Sequence, residues 1–139
     1  LIYFVKTERV IIAVLRDITC TVLPVDSPLE TLWVSISGVS FQNVIVGVCY
    51  RPPDSTGEFV NELTNIFEHS QSKYPRSVIG LAGDFNYPGI DWANLNVCTT
   101  CSRKEESSSF VNLLNYFSMK QVVNQPPRGD AVLDLVCTS

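Results

Sequence analysis

The sequence is short of several things. Its 139 residues include one histidine and one methionine. No apolar stretch is long and unbroken enough to cross a bilayer as a helix, so no membrane partner is expected. No secretory signal peptide, internal repeat or low-complexity tract is present. Basic residues number ten against fourteen acidic ones, for a net charge of −4. Modules that coat nucleic acid passively are usually basic, because neutralising phosphates supplies most of their affinity. The balance argues against such a module. It leaves room for an enzyme whose metal ion carries the positive charge at its site.

The five cysteines are Cys20, Cys49, Cys98, Cys101 and Cys137. Their odd number and wide scatter do not make a disulfide framework. They point to a reducing compartment, nuclear or cytoplasmic. Cys98 and Cys101 form a single CxxC, which fills half of a tetrahedral zinc site. No second pair completes it, and His69, the lone histidine, belongs to a predicted helix far from it. The pair therefore reads as a loop with two ordinary thiols.

What is present is core-forming material, at 45% hydrophobic and 17% charged residues. The runs "LIYFV" (Leu1 to Val5), "VIIAVL" (Val10 to Leu15) and "ITCTVL" (Ile18 to Leu23) read as strands. "TLWVSIS" (Thr31 to Ser37) alternates as a half-buried strand should, and "NVIVGVCY" (Asn43 to Tyr50) reads as a strand covered on both faces. Phe59, Val60, Leu63, Ile66 and Phe67 make the apolar stripe of a helix over 56–72, with Asp54 or Ser55 available as its cap. "SVIGLAG" (Ser77 to Gly83) returns as a buried strand, which suggests a βαβ unit. A second helix is predicted over 103–119, with Ser102 and Glu105 at capping-box spacing. "QVV" and "AVLDLVCTS" read as short strands around a turn, "NQPPRGD". The class is α/β, or mixed α+β, and one domain is expected over 1–139.

Ligands in such folds gather where the chain leaves the carboxyl ends of strands. Three exits stand out. At "LAGDFNYPGIDW" (Leu81 to Trp92), Asp84 and Asn86 share a face if strand pairing persists through them. A carboxylate can then deprotonate a water while an amide holds that water or a phosphate oxygen. An Asx turn uses the same residues with no chemistry. At "YRPP", Tyr50 either caps the core or offers its hydroxyl to a phosphate, and Arg51 either contacts phosphate or pairs with a local carboxylate or carbonyl. In "VLDLV", Asp134 either faces water or holds an imidazole in one tautomer. Asp91 and Trp92 read as a turn cap and a packing residue.

The ordered set "VGVCYRPPDS", "LAGDFNYPGIDW" and "AVLDLVCTS" resembles the endonuclease/exonuclease/phosphatase superfamily. Within it, the likeness is to the endonuclease domain of LINE-type non-LTR retrotransposons and runs over essentially the whole chain. The resemblance implies a four-layer sandwich, with two facing mixed sheets and helices outside. It implies Mg2+-dependent (or Mn2+-dependent) hydrolysis of a DNA target strand by water attack, with a reverse transcriptase region in the same polyprotein. It assigns catalytic roles to Asp84, Asn86 and Asp134 and a phosphate contact to Tyr50; Arg51, next to it, is expected as a second substrate-binding residue. The family's first-strand asparagine, its metal-binding glutamate and its Ser-Asp-His motif have no counterpart here. Neither Glu8 nor Glu30 stands in the setting of that glutamate. The chain is therefore expected to be part of a domain truncated at both ends, and inactive alone. A phosphatase or repair nuclease of the same superfamily, and a non-catalytic degenerate remnant, are the alternatives.

Overall fold

Strands alternating apolar and polar residues can cover only one face unless something packs on the other. Here two amphipathic helices cover one face of a six-stranded mixed sheet. The computed structural model describes residues 2–38, 42–123, 132 and 134–139. In chain order the elements are β1 (Ile2–Lys6), β2 (Ile11–Leu15), β3 (Thr19–Leu23), β4 (Glu30–Ser37), β5 (Val44–Tyr50), α1 (Glu58–Lys73), β6 (Val78–Asp84), β7 (Ile90–Asp91), β8 (Asn96–Val97), α2 (Lys104–Tyr116), β9 (Lys120–Gln121) and β10 (Asp134–Thr138). The large sheet has the order β3-β4-β5-β6-β10-β9. Strands β5 and β6 run parallel, joined through α1, so the expected βαβ unit is present. The other pairs in this sheet are antiparallel.

The helix-facing residues are Ile45 and Cys49 of β5, Ile79 and Leu81 of β6, and Leu135 and Cys137 of β10, all buried. They share one cluster with Trp33, with Phe59, Leu63 and Phe67 of α1, and with Phe110 and Leu114 of α2. Aromatic contacts knit it together. Trp33 meets Phe67 edge-on at 5.8 Å, and Phe110 stacks on Phe85 at 5.1 Å and on Tyr87 at 4.8 Å. Burial pushes the Cys49 and Cys137 thiols up to about 12, so both behave as small apolar side chains.

The other face of the sheet is covered less. Leu32 and Val34 of β4 are buried there, and Val10 and Val14 beside and in β2 are buried outside the main cluster. The antiparallel β1–β2 hairpin forms a second small sheet, and its turn is fastened to the start of β4 by the Thr7 hydroxyl and the Arg9 N–H, both donating to Glu30 Oε1. On β5 the alternate residues Val44, Val46 and Val48 are only half-buried, and Val136 on β10 is exposed.

Three expectations about local structure change. The capping box does not form, because α2 begins one residue late. Its cap position is Arg103, without a side-chain cap bond, which puts Ser102 and Glu105 out of phase. Likewise α1 starts after Gly57, and neither Asp54 nor Ser55 caps it; both lie upstream, where the Ser55 N–H closes a turn on the Pro52 carbonyl. The small β7–β8 pair inside the loop was not expected, since two-residue strands carry no readable alternation. The "NQPPRGD" turn lies outside the described residues.

Gly83 closes β6 with φ +148°, a conformation that L side chains rarely adopt, and an added Cβ would lie 1.8 Å from the Cys49 carbonyl oxygen. Gly83→Ala is expected to lower unfolding stability by about 3 kcal/mol, from strain plus overpacking. Urea denaturation measures it, and a loss below about 1 kcal/mol would contradict this close approach.

Candidate active site

Register brings four polar residues into one row across the end of the large sheet. Glu30 pairs with Tyr50, Tyr50 with Asp84, and Asp84 with Asp134. At the usual strand spacing the row spans roughly 14 Å. Each residue belongs to the alternate set of its strand that points away from the helices, so the row lies on the less covered face. A cleft of about 340 Å³ opens there, lined by Ala82, Asp84, Val123, Asp134 and Val136 among others. A larger hollow, about 760 Å³, lies off the row against Gly89, Trp92 and Cys98, and holds none of the expected catalytic side chains.

Asp84 ends β6, and its Oδ1 accepts the Asn86 N–H at 3.2 Å. Partial burial, opposed by the N–H and the side-chain amide of Asn86 and reinforced by the charge of Asp134, raises its carboxyl above the ordinary aspartate range. Asp134 opens β10 and is exposed.

Asn86 does not reach the row as a continuing strand. Pairing stops at Asp84, and Asn86 turns left-handed with φ 51°, while Phe85 is buried in the core. Its Nδ2 donates to the Arg51 carbonyl at 2.7 Å. The bend, rather than strand alternation, sets Asn86 beside Asp84. Asp84 and Asn86 are thus partly used by their own turn.

Arg51, expected to be a substrate contact or the partner of a local carboxylate, takes the second option. It is 0% exposed. Its Nε and Nη2 donate to Glu106 Oε1 at 3.1 and 2.6 Å, and Nη1 donates to the carbonyls of Phe85 and Asn86 at 3.3 Å. The guanidinium stacks over the Tyr87 ring at 4.2 Å. Its own N–H donates to the Asp84 carbonyl at 2.9 Å. A fully enclosed guanidinium cannot meet a phosphate, so its role as a substrate contact is withdrawn.

Glu106 was missed. The signal was its helical phase: it lies four residues before Phe110 and so falls on the apolar stripe of α2, where a carboxylate needs a cation. Tyr87 also donates its hydroxyl to Glu106, at 3.2 Å. Asp91 accepts the N–H groups of Ala93 and Asn94 at 3.0 and 3.4 Å, and Trp92 packs edge-on against Phe110, both as expected for turn and core. Cys101 donates its thiol to the Cys98 carbonyl at 3.0 Å, and His69 is exposed on α1.

Two facing carboxylates are hard oxygen donors of the kind Mg2+ takes, with water and phosphate completing its shell. The fit is partial, since among the described residues no three acidic, histidine or cysteine side chains gather as a metal site.

A mixed sheet, helices on one face and an acidic row at the strand ends define a fold of the endonuclease/exonuclease/phosphatase class. Residues 44–139 match the family described as "Endonuclease-reverse transcriptase". The match takes in most of the chain, and the chain belongs to that family. Its fold is also similar to the "Endonuclease domain of TRAS1, a telomere-specific non-LTR retrotransposon", with TM-score 0.62 and 14% identity over 98% of this chain and 66% of that one. The chain thus spans just under two thirds of that structure's length. Comparison with curated proteins gives no match.

Removing Glu106 strands a buried cation. Glu106→Ala is expected to cost about 3–5 kcal/mol of stability by urea unfolding. A cost under about 1 kcal/mol would show that the pair does not hold the bend.

Proposed function

We propose that the protein carrying this chain is a metal-dependent DNA endonuclease that nicks one strand by water attack on a phosphodiester. The observation that carries this reading is the register row, which sets Tyr50, Asp84 and Asp134 side by side on an open strand end of a chain from an endonuclease family. Asp84 takes the proton of the attacking water; its raised affinity for protons suits a base. Asn86 holds that water or a phosphate oxygen with the part of its amide that Arg51 leaves free. The Tyr50 hydroxyl contacts the phosphate, and Asp134 orients an imidazole supplied from beyond these residues. Mg2+ or Mn2+ would neutralise charge on the phosphate when bound.

In-line attack with departure of the 3′ oxygen leaves a 3′ hydroxyl, which a reverse transcriptase region of the same polyprotein could extend, as in target-primed retrotransposition. The chain alone is expected not to nick, since the family's first-strand asparagine, metal-binding glutamate and Ser-Asp-His motif have no counterpart in it.

Relaxation of supercoiled plasmid by the full parent protein tests the reading. Asp84→Asn is expected to slow nicking by about 10²–10⁴-fold, and chelation of the metal to abolish it. Nicking within a few-fold of wild type in Asp84→Asn would overturn the proposal.

A further inference from the structure

Arg51 being enclosed leaves an electrostatic problem. The row at the strand ends carries the carboxyl groups of Glu30, Asp84 and Asp134, and a phosphodiester approaching it meets like charge. A cation is needed on the open side of Tyr50. The turn between β1 and β2 supplies one. Arg9 is exposed, and its guanidinium carbon stands 5.3 Å from the centroid of the Tyr50 ring.

The turn is not free to wander. Glu30, the first residue of β4 and the register partner of Tyr50, accepts both the Thr7 hydroxyl and the Arg9 N–H. A third bond, from the Thr7 N–H to the Val10 carbonyl at 2.9 Å, closes the turn on itself. Glu30 is thus occupied on its Oε1 by the turn. These bonds, with the Arg9 charge, hold its carboxyl below the ordinary range, the Thr7 hydroxyl most of all. Its negative charge therefore sits under the backbone that presents Arg9. The Tyr50 ring gives the guanidinium a face to stack on while its N–H donors stay in solvent, which is the state in which a fork of donors can take two phosphate oxygens.

We propose that Arg9, presented by the Glu30-fastened turn and stacked on Tyr50, is the guanidinium that grips a backbone phosphate of the DNA strand at the row, in place of Arg51. This rests on the nuclease reading above. Glu30 acts as a positioning residue, through the turn. One phosphate contact has a defined signature: the slope of log affinity against log salt falls by about 0.9 when it is lost.

The test is fluorescence anisotropy with the parent protein that carries this chain, without added divalent metal, and a short fluorescein-labelled DNA duplex over a range of salt concentrations. Arg9→Gln is expected to weaken binding about tenfold at low salt and to flatten the salt slope by about one, with an unchanged melting temperature. Arg9→Lys should recover the slope. Arg16→Gln removes the same charge at the opposite end of the β1–β2 hairpin and should leave the slope unchanged. An unchanged slope in Arg9→Gln, an equal effect of Arg16→Gln, or no duplex binding by the wild-type parent protein would each overturn the inference. Loss of plasmid nicking in Asp84→Asn of the parent protein would still stand in those cases, so the two readings fail separately.

Discussion

A buried arginine organises this molecule. Enclosing a guanidinium costs several kcal/mol unless its donors are met. Arg51 has its donors met from three directions at once, by Glu106 on α2 and by the carbonyls of Phe85 and Asn86, with the Tyr87 ring against its face. Its neighbour in sequence is Tyr50, and its own N–H and carbonyl bind the Asp84 carbonyl and the Asn86 amide. One residue therefore ties the end of β5, the bend after β6 and the flank of α2 into a single piece. The spacing of Tyr50 from Asp84 cannot change without breaking that set.

This explains how polar residues of the site are divided. Those on the helix side of the sheet end, Arg51, Glu106 and Tyr87, hold the bend. Those on the opposite side, Glu30, Tyr50, Asp84 and Asp134, stand in a row with solvent access. Buried ion pairs give modest net stability but are intolerant of losing one partner. Such a pair is suited to fixing geometry beneath a site rather than to working in it. The site itself is left acidic and partly uncovered, which calls for cations from a metal or from the nearby turn.

Much of this was legible in the residues. Alternation located β4, continuous apolar runs located β5 and β6, and the stripes of Phe59, Leu63 and Phe67 and of Phe110 and Leu114 located both helices within a few residues. Periodicity reports how a segment buries apolar area, and these segments bury a great deal. The direction of β6 relative to β5, and hence the row, required register, which no local pattern contains. Strand alternation puts Asp84 and Asn86 on one face only if pairing persists; the chain leaves the strand at Asp84 and turns left-handed, and the bend sets Asn86 beside Asp84 instead. The fate of Arg51 could be narrowed to two options but not chosen, since its partner lies 55 residues on. Glu30 was passed over because its neighbours in sequence give no hint that it pairs with Tyr50.

Asp84 and Asp134 face each other on one open strand end. Carbon-13 NMR titration of the aspartate carboxyls reads that pairing. The Asp84 carboxyl is expected to titrate above the ordinary aspartate value because of burial and the Asp134 charge, and Asp134→Asn to bring it part of the way back down. Its ionised form then weighs against folding at neutral pH, a penalty relieved as the pH falls through that raised value. An Asp84 carboxyl that titrates at or below the ordinary value, or that ignores Asp134→Asn, would contradict the row.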